Sequence, residues 1–390
     1  MKRIPALALV AAAVALTACS GGSGSTGSSG GTILIGGIAG TTGAYGTTGQ
    51  AAFNGIQLAV DEINSAGGVS GKKLKFSGSD DGASATTASQ LFTKLISQHA
   101  VAVFGSPDQG PTIAALADQK KFPVLGPVDD GGLSIYPKGP DSDPYAYAFS
   151  TSLNTFAWGE VLGDYALKNC SGLAVLHDPS GYGEGGLDGI QIAYKEAGKK
   201  LALEESITEN WSTGATVGLK SEIAKIKASG ADCVDVWLTP QDQASFLQEA
   251  KTEGSDFTFL GNDETCSDTT FSDLAKQQGD GMLCALITSD MNPDARLTKF
   301  REDYKAKFNV DATAFAELSY DAVYILKKAI EAGGGKTDPE TIKNQLNKIS
   351  DYDGLTGSLT FTEKQHTTLT ADQLTVVKYD SASGKWVPAQ

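Results

Sequence analysis

The pattern of apolar and polar positions is clearest between residues 32 and 80. Thr32–Ile38 is a short, almost uninterrupted apolar run, as is typical of a parallel strand buried on both faces. Beyond a loop rich in glycine and threonine, apolar residues recur at steps of three and four and predict a helix with one buried face: Phe53, Ile56, Val60 and Ile63. Gly67 and Gly68 then signal a helix end, and Lys73–Phe76 alternates like a half-exposed strand. Together these segments predict a right-handed βαβ unit.

The alternation of strand and helix continues through the first half of the chain. We expect a helix over residues 85–99, a buried strand at Val101–Phe104, a helix with Pro111 in its first turn, and a strand at Phe122–Leu125. Tyr147–Phe149 ends this half, and residues 150–154 are expected to cross to the second half.

The second half repeats the pattern. Its predicted strands are Leu173–His177, Leu201–Thr208, Cys233–Leu238, Phe257–Leu260 and Met282–Thr288. Its predicted helices are Phe156–Leu167, Leu187–Ala197, Val217–Ala228 and Ala244–Glu253. After Asp290 we expect three further helices and then two strands of an antiparallel tail: Ala295–Phe308, Phe315–Glu331, Pro339–Ile349, Gly357–Phe361 and Leu374–Tyr379. Strands that alternate with helices predict the α/β fold class.

Length and charge restrict the classes of protein to consider. A chain of 390 residues exceeds what one hydrophobic core usually supports, so two domains are expected. The net charge is -15, with 46 acidic and 31 basic residues, which argues against nucleic acid or an anionic membrane surface as a partner.

The first residues have the features of an export signal. Lys2 and Arg3 give a positive start, and the apolar run that follows is too short to remain as a membrane-spanning helix. Leu16–Cys19 resembles a bacterial lipobox, so we predict a lipoprotein signal peptide over residues 1–18, lipidation of Cys19, and a flexible tether over residues 19–31. An ordinary secretory signal with an incidental cysteine is the alternative.

Four further cysteines lie in the second half of the chain. An even number in an exported protein predicts disulfides. We expect Cys170 to pair with Cys233, because each lies at the start of a predicted strand and the two strands can be neighbours. We expect Cys266 to pair with Cys284, because they flank the last strand of this half. The chain has no CxxC motif, which argues against a zinc ribbon.

One segment of the chain matches a sequence motif of dinucleotide-binding enzymes. Gly181–Gly186 matches G-x-G-x-x-G between a predicted strand and a predicted helix. Asp178–Ser180 delays the first glycine, however, so the turn is not the tight one that dinucleotide binding needs. The histidines His99, His177 and His366 have no paired spacing that would favour a metal site. No catalytic residue, metal or cofactor is therefore predicted.

The loops that follow the predicted strands indicate a ligand-binding cleft. In open α/β sheets such loops converge on the ligand, and the glycines and helix amino termini in them offer N–H donors to a carboxylate. Three aromatic residues could enclose an apolar side chain, namely Tyr45, Trp158 and Tyr182. Four acids could pair with an ammonium group, namely Asp129, Asp130, Asp263 and Glu264. Packing is the alternative for each aromatic residue, and solvation or helix capping for each acid.

Several of these segments resemble one known family. The opening GGIAGTTGAYGTTGQAAFNGIQLAVDEINSAGGVSGKKL, with VAVFGSPDQG, LAVLHDPSGYGEG, FLGNDE and LTGSLTFTEKQHT after it, is similar to type I periplasmic solute-binding proteins, and most to the branched-chain amino-acid-binding group of ABC importers. The resemblance covers residues 32–390 and implies two doubly wound Rossmann-like lobes joined by a three-crossing hinge. On this basis we assign residues 32–150 and 289–355 to lobe 1, and residues 151–288 and 356–390 to lobe 2.

The resemblance also implies roles for single residues. Tyr182 matches the pocket tyrosine of the family, and Asp263 or Glu264 matches the acid that holds the amino group of the ligand. Gln109-Gly110 stands where the family often has Ser-Gly, whose serine binds the ligand carboxylate. Asp129 and Asp130 stand where it often has an Ala-Thr pair. These departures weaken the case for an aliphatic amino acid, so a polar or cationic amino acid, an amide or another small nitrogen compound stays open.

The combined expectation is a binding protein. We predict a monomeric extracytoplasmic lipoprotein, anchored to the cell membrane, that captures a small amino-acid-like ligand and delivers it to an ABC permease. It is not expected to be an enzyme. A sensory ligand-binding subunit and an exported enzyme that uses the same cleft are the alternatives.

Overall fold

The computed structural model of the chain describes residues 31–43, 46–105, 107–128, 132–140, 142–152, 154–209, 218–267, 269–287, 291–368 and 370–389. The predicted signal peptide and lipidation residue, Cys19, lie outside the described residues, as do Tyr45, Asp129 and Asp130. The described residues form two α/β lobes, each built on its own sheet with parallel strands at its centre, which confirms the predicted fold class.

The first sheet has four parallel strands in the order β2-β1-β3-β4. They are β1 (Thr32–Ala39), β2 (Lys73–Asp80), β3 (Val103–Phe104) and β4 (Val124–Leu125). The helices of this segment are α1 (Gly46–Ser65), α2 (Ala85–Ser97), α3 (Gly110–Lys120) and the single turn α4 (Gly132–Ile135). In the segment that ends this half of the chain, Ala148 makes an isolated bridge to Val124 of β4.

Helix α1 confirms the apolar face that its sequence predicts. Ile56, Val60 and Ile63 are buried in one core cluster with Ile33 and Ile35 of β1. Phe53 is only half-buried, and its ring meets the ring of Phe76 on β2 edge to face, at 5.4 Å between centroids.

The second lobe begins with five parallel strands, which are β5 (Leu173–His177), β6 (Leu203–Ser206), β7 (Cys233–Trp237), β8 (Thr258–Gly261) and β9 (Leu283–Ile287). Its helices are α5 (Thr155–Asn169), α6 (Gly181–Glu196), α7 (Lys220–Ser229), α8 (Pro240–Thr252), α9 (Asp263–Ser267) and α10 (Thr269–Ala275). All five strands and the helices α5 to α8 were predicted, whereas α9 and α10 were not.

Helices α5 and α6 pack with their backbones almost in contact. A Cβ atom on Gly159 would lie 2.1 Å from the carbonyl oxygen of Gly186, and one on Gly189 would lie 2.1 Å from that of Phe156. Only glycine allows so close an approach. The prediction that α6 begins at Leu187 is therefore wrong, because the glycine-rich segment before it is helical and is the part that makes this contact.

The chain then returns to the first lobe. The predicted helices are confirmed as α11 (Ala295–Phe308), α12 (Ala314–Ala332) and α13 (Pro339–Leu346). Helix α12 lies against α1, since a Cβ atom on Gly55 would be 2.1 Å from the carbonyl oxygen of Ala316. A short antiparallel pair follows, β10 (Tyr352–Asp353) and β11 (Ser358–Leu359).

Two further strands complete the second sheet. They are β12 (Leu374–Asp380), which pairs antiparallel with β9, and β13 (Lys385–Pro388), which pairs antiparallel with β12. The strand order is β13-β12-β9-β8-β7-β5-β6. The expectation of one antiparallel tail is therefore wrong in part, because β11 and β12 belong to different sheets.

Both predicted disulfides are present, Cys170–Cys233 and Cys266–Cys284. Cys170 does not begin a strand as expected. It caps the end of α5, whereas Cys233 is the first residue of β7, so this bridge lies at the amino end of the strand. The other bridge joins α9 to β9.

The segments that pass between the lobes contact each other directly. The backbone N–H of Ser150 donates to the carbonyl oxygen of His366 at 2.7 Å, and the imidazole of His366 stacks on the ring of Phe149 at 4.1 Å between centroids. Within the described ranges, no helix has the length and apolar character that crossing a membrane requires.

Candidate functional site

Five of the residues expected to bind ligand follow the carboxyl ends of parallel strands. This is the edge at which open α/β sheets bind ligands. Tyr182, Asp263 and Glu264 lie on the second lobe, and Gln109 and Gly110 lie on the first.

Tyr182 and Asp263, which are far apart in sequence, are brought together. The hydroxyl group of Tyr182 donates to Asp263 Oδ1. Tyr182 is the second residue of α6, and its backbone N–H donates to the side chain of Ser180 at 3.2 Å, so the helix begins just beside the site. The tyrosine is thus held at both its backbone and its hydroxyl group.

The ring of Tyr182 packs against the indole ring of Trp237. The two ring centroids are 5.4 Å apart, and Trp237 is fully buried at the end of β7. A Cβ atom on Gly186 would lie 2.2 Å from the indole ring, so glycine at this position makes room for the tryptophan. Sequence reasoning missed Trp237, although it lies within the predicted strand Cys233–Leu238 and is the last residue of β7.

Asp263 and Glu264 form the first turn of α9 and are nearly buried, with 6% and 7% of their surface exposed. Burial raises the pKa of Asp263, while the hydroxyl group of Tyr182 and the N–H groups of the helix turn oppose that rise. A carboxylate at this position is suited to a ligand N–H group or cation.

A network of buried amides holds α9 in place. Gln243 Nε2 donates to Asn262 Oδ1 at 2.9 Å, and Asn262 Nδ2 donates to the carbonyl oxygen of Leu238 at 3.0 Å. Thr265 donates its hydroxyl group to the amide oxygen of Gln243. Because these groups are buried and satisfy each other, the helix that carries the two acids is rigidly tied to α8 and β7.

A second group of acids on this lobe was not predicted. The carboxylate of Glu209 accepts the backbone N–H of Thr239, with N–O distances of 3.0 and 3.1 Å. Burial, a hydrogen bond with Asp242 and the charge of Asp178 raise the pKa of Glu209 to about 10. Asp178 was visible in the sequence as the first residue after β5, and Asp242 as part of the first turn of α8.

The first lobe presents its own pair of acids at the corresponding edge. Asp81 directly follows β2 and Asp108 lies between β3 and α3, and both are buried. The backbone N–H of Gly40, beyond β1, donates to Asp108 Oδ2 at 3.1 Å. Burial in the first place, and then the facing carboxyl of Asp108, raise the pKa of Asp81 to about 8.

The residues predicted on this lobe lie next to that pair. Gln109 is half-buried at the amino end of α3 and makes no capping hydrogen bond with its side chain, and Gly110 is the first residue of the helix. Asp108 directly precedes Gln109, so the buried acid and the predicted residue are neighbours in the chain.

The amino-acid sequence between residues 32 and 385 matches the family model described as periplasmic binding protein. The chain belongs to the periplasmic binding protein family.

Relatives and solved structures agree with this assignment. The chain is 27% identical over 316 residues to the leucine-, isoleucine-, valine-, threonine- and alanine-binding protein of Pseudomonas aeruginosa, a match that covers 80% of each protein. It is similar to a type 1 periplasmic binding protein of Bordetella pertussis with a TM-score of 0.82, at 22% identity, over 92% of this chain and 99% of the other. It also resembles a branched-chain amino acid transporter substrate-binding protein of Streptococcus pneumoniae, solved with isoleucine, with a TM-score of 0.76 at 24% identity over 92% and 99% of the two chains.

Membership of this family gives the protein a solute-binding role and an extracytoplasmic location. The strand ends described above are thus the place where this periplasmic binding protein is expected to hold its solute. No group of three or more histidine, cysteine or acidic side chains suited to a metal ion occurs in the described part of the chain.

Trp158 lies in the interior of this periplasmic binding protein, in the core cluster that also contains Tyr182. It is buried within α5 and belongs to the same core cluster as Leu187 and Ile190 of α6. Its contacts are those of a packing residue, and its role as a wall of the ligand pocket stays a prediction.

Proposed function

We propose that the protein is the substrate-binding lipoprotein of an ABC importer, which captures a small amino-acid-like ligand between its lobes and delivers it to the permease. The contact between Tyr182 and Asp263 carries the proposal, because it places an aromatic ring and an acid together at the ligand-binding edge. The relative from Pseudomonas aeruginosa, named as an amino-acid-binding protein, supports the ligand class.

The proposed mechanism is closure of the two lobes about a hinge. The assignment of residues 32–150 and 289–355 to one lobe and residues 151–288 and 356–390 to the other is part of this proposal. The contact of Ser150 with His366 lies where the chain crosses between them. A ligand that touches acids on both lobes favours the closed form, and closure offers the permease a new surface.

The proposed function also includes a lipid anchor and a first-lobe side of the ligand pocket. Cys19 would carry the lipid anchor, and the glycine- and serine-rich tether would let a monomeric binding unit reach its permease. Gln109, Gly110, Asp129, Asp130 and Tyr45 would contribute to the first-lobe side of the pocket.

Binding assays with the purified full chain test the proposal. Amino acids and amides are screened by thermal shift, and hits are measured by calorimetry and recovered for mass spectrometry. We expect at least one compound to raise the melting temperature and to be recovered unchanged. Chemical conversion of the bound compound would instead favour the enzyme, and a screen without any hit would count against the solute-binding proposal.

A further inference from the structure

Exposed lysines collect at one edge of the sheet of the first lobe. This is the edge at which its four parallel strands begin, and it is opposite to the edge that carries Asp81 and Asp108. The residues that lead into these strands, together with the turn between α12 and α13, supply six exposed lysines, here called the lysine edge: Lys72, Lys73, Lys94, Lys120, Lys121 and Lys336.

Helix geometry accounts for only half of these lysines. In a parallel sheet each crossover helix runs back to the edge at which the next strand begins. Lys94 lies in the last turn of α2, Lys120 lies in the last turn of α3, and Lys121 caps α3. Basic residues at carboxyl ends of helices complement the helix dipole, which is a sufficient reason for these three.

The other three lysines belong to no helix. Lys72 directly precedes β2, Lys73 is its first residue, and Lys336 lies between α12 and α13. A Cβ atom on Gly335 would be 3.2 Å from the side chain of Ser70, so the turn that carries Lys336 lies against the loop that carries Lys72. Helix capping therefore does not explain why lysines occur here.

The charges of the lysine edge are not neutralised by ion pairs. None of its lysines forms an ion pair with an acid of the described residues. Lys73 donates to an uncharged group, the carbonyl oxygen of Asn64. Of the acids at nearby helix ends, Glu331 is paired with Lys327 at 2.8 Å. The edge thus carries local positive charge, although the net charge of the chain is -15.

The chain enters the first lobe at this same edge. Strand β1 begins at Thr32, directly after the predicted tether, and Thr32 lies beside Lys73 in the register of the sheet. A Cβ atom on Gly31 would be 4.0 Å from Cδ of Lys72. A segment rich in glycine and serine and as long as residues 19–31 has a root-mean-square reach of about 20 Å. An anchor at Cys19 would therefore hold the lysine edge close to the bilayer.

We infer that the lysine edge docks on the anionic phospholipid surface of the membrane that anchors the protein. This inference rests on the lipid anchor of the proposed function. Each lysine near an anionic surface strengthens binding several-fold, and the tether gives the edge a high effective concentration at the membrane. The strand ends proposed to hold the solute then point away from the bilayer, toward solution.

The negative net charge does not oppose this contact. Strand β1 has eight residues, so the acids at its far end are about 25 Å from the lysine edge. Charges are screened over about 8 Å at physiological ionic strength, so the membrane surface interacts mainly with the face turned toward it. A prediction from total charge treats the molecule as uniform, whereas the fold separates acids and lysines at opposite edges.

The reactivity of single lysines tests the inference. The lipidated full chain is reconstituted in vesicles of pure phosphatidylcholine and in vesicles of equal parts phosphatidylcholine and phosphatidylglycerol. Sulfosuccinimidyl acetate labels exposed amines, and mass spectrometry measures the rate at each lysine. We expect the lysine edge to react about threefold or more slowly on the anionic vesicles, and concentrated sodium chloride to remove this protection. Lys199 and Lys200, exposed on the second lobe, should react equally on both.

A matched pair of double variants then tests the role of charge. Lys72→Gln, Lys73→Gln removes two charges before an edge strand of the first sheet, and the remaining lysines of the edge should lose most of their protection, because docking weakens by about tenfold or more. Lys199→Gln, Lys200→Gln removes an adjacent pair before β6, an edge strand of the second sheet, and should leave the protection unchanged.

The outcomes separate this inference from the proposed function. Equal reactivity of the lysine edge on both kinds of vesicle, or unchanged protection in the Lys72→Gln, Lys73→Gln protein, overturns the inference and leaves the anchor and solute binding in place. A protein that sediments with neither kind of vesicle overturns the anchor and the inference together, and leaves only solute binding.

Discussion

At the scale of single residues, Tyr182 combines packing and recognition in separate parts of one side chain. The ring rests against Trp237 and the hydroxyl group contacts Asp263. Tyr182→Phe keeps the first contact and removes the second. Since a hydrogen bond to a charged group contributes about 1.5–3 kcal/mol, we expect ligand affinity to fall by about tenfold or more. Calorimetry with the ligand found by screening measures the change.

A second tyrosine gives the control for this prediction. Tyr165 is half-buried on α5 of the same lobe, and Tyr165→Phe should bind ligand as the wild type does. If Tyr182→Phe behaves in the same way, the hydroxyl group of Tyr182 has no part in recognition and the residue only packs.

His366 should make the stability of the protein sensitive to acid. Nδ1 lies 2.9 Å from the carbonyl oxygens of Tyr145 and Ala148, so it must carry the proton and donate it. Nε2 is buried without a partner among the described residues, so a second proton there would be unsatisfied. Burial accordingly lowers the pKa of His366 from 6.5 to about 4.

Acid should lower the free energy of unfolding, because the pKa of His366 is lower in the folded chain than in the unfolded chain. Between pH 6.5 and about 4 the unfolded chain binds a proton that the folded chain does not, so the free energy of unfolding falls as the pH is lowered. The loss attributable to His366 amounts to about 3 kcal/mol over this window. His366→Asn keeps a donor near the Nδ1 position and does not titrate. Urea unfolding at pH 7 and pH 4.5 should show a smaller acid-induced loss for this variant than for the wild type.

An exposed histidine gives the matched control. His99→Asn changes a surface residue, and its loss of stability on acidification should equal that of the wild type. Equal acid sensitivity of the His366→Asn protein would mean that other groups account for all of the pH dependence.

The residues that the sequence did not reveal are those whose burial depends on distant parts of the chain. Asp80 and Asp81 are adjacent and alike in sequence. Asp80 is exposed and accepts hydrogen bonds from Thr41 and Thr42, whereas Asp81 turns inward to face Asp108. Periodicity predicts that neighbours point to opposite faces, but it does not say what either meets. The resemblance, in contrast, led directly to Tyr182 and Asp263, which the fold brings into contact.

At the scale of secondary structure, strands and apolar helix faces were predictable, whereas the glycine-rich start of α6 was not. Val60 and Ile63 follow a period that burial requires, so the sequence shows the face of α1. Glycine has a low helix propensity, so the segment from Gly181 to Gly186 resembled a loop. Tertiary contact with α5 and Trp237 overrides that propensity, and contacts of this kind leave no periodic signal.

The two disulfides should have different effects on binding because they lie at different edges of the second lobe. Cys266–Cys284 ties the helix that carries Asp263 and Glu264 to β9, whereas Cys170–Cys233 lies at the amino end of β7. We expect the double variant Cys266→Ala, Cys284→Ala to lower ligand affinity several-fold as well as stability, because α9 loses an attachment. Calorimetry and thermal unfolding measure the two effects.

The other bridge provides the matched comparison. The double variant Cys170→Ala, Cys233→Ala should lower the melting temperature and keep the affinity of the wild type at temperatures where it is folded. Equal loss of affinity in both double variants would show that stability of the lobe as a whole, rather than the position of α9, controls binding.

At the scale of the whole molecule, the predicted anchor at Cys19 determines where the binding unit works. A thioether-linked lipid would keep the protein at the membrane beside its permease, because acyl chains partition into the bilayer. Cells labelled with radioactive palmitate should incorporate label into the wild type and not into Cys19→Ala. Cys170→Ala is the control that should keep its label, and equal labelling of the wild type and Cys19→Ala would exclude the anchor.

The division of the chain into two α/β halves was predictable, but the path between them was not. Helices α11 to α13 follow the second lobe in sequence and pack on the first, as the contact of Ala316 with Gly55 shows. Local periodicity finds such helices and does not say which sheet they cover. Only the resemblance to a family with three crossings implied that they return.

The pairing of β12 with β9 has a consequence for biosynthesis. While the ribosome is still adding α11 to α13, the second sheet has an open edge at β9, and its pairing partner does not yet exist. A nascent chain therefore cannot complete this lobe until almost all of it has been translated. Delayed completion suits a protein that works outside the cytoplasm, because the lobe stays incomplete while most of the chain is being made.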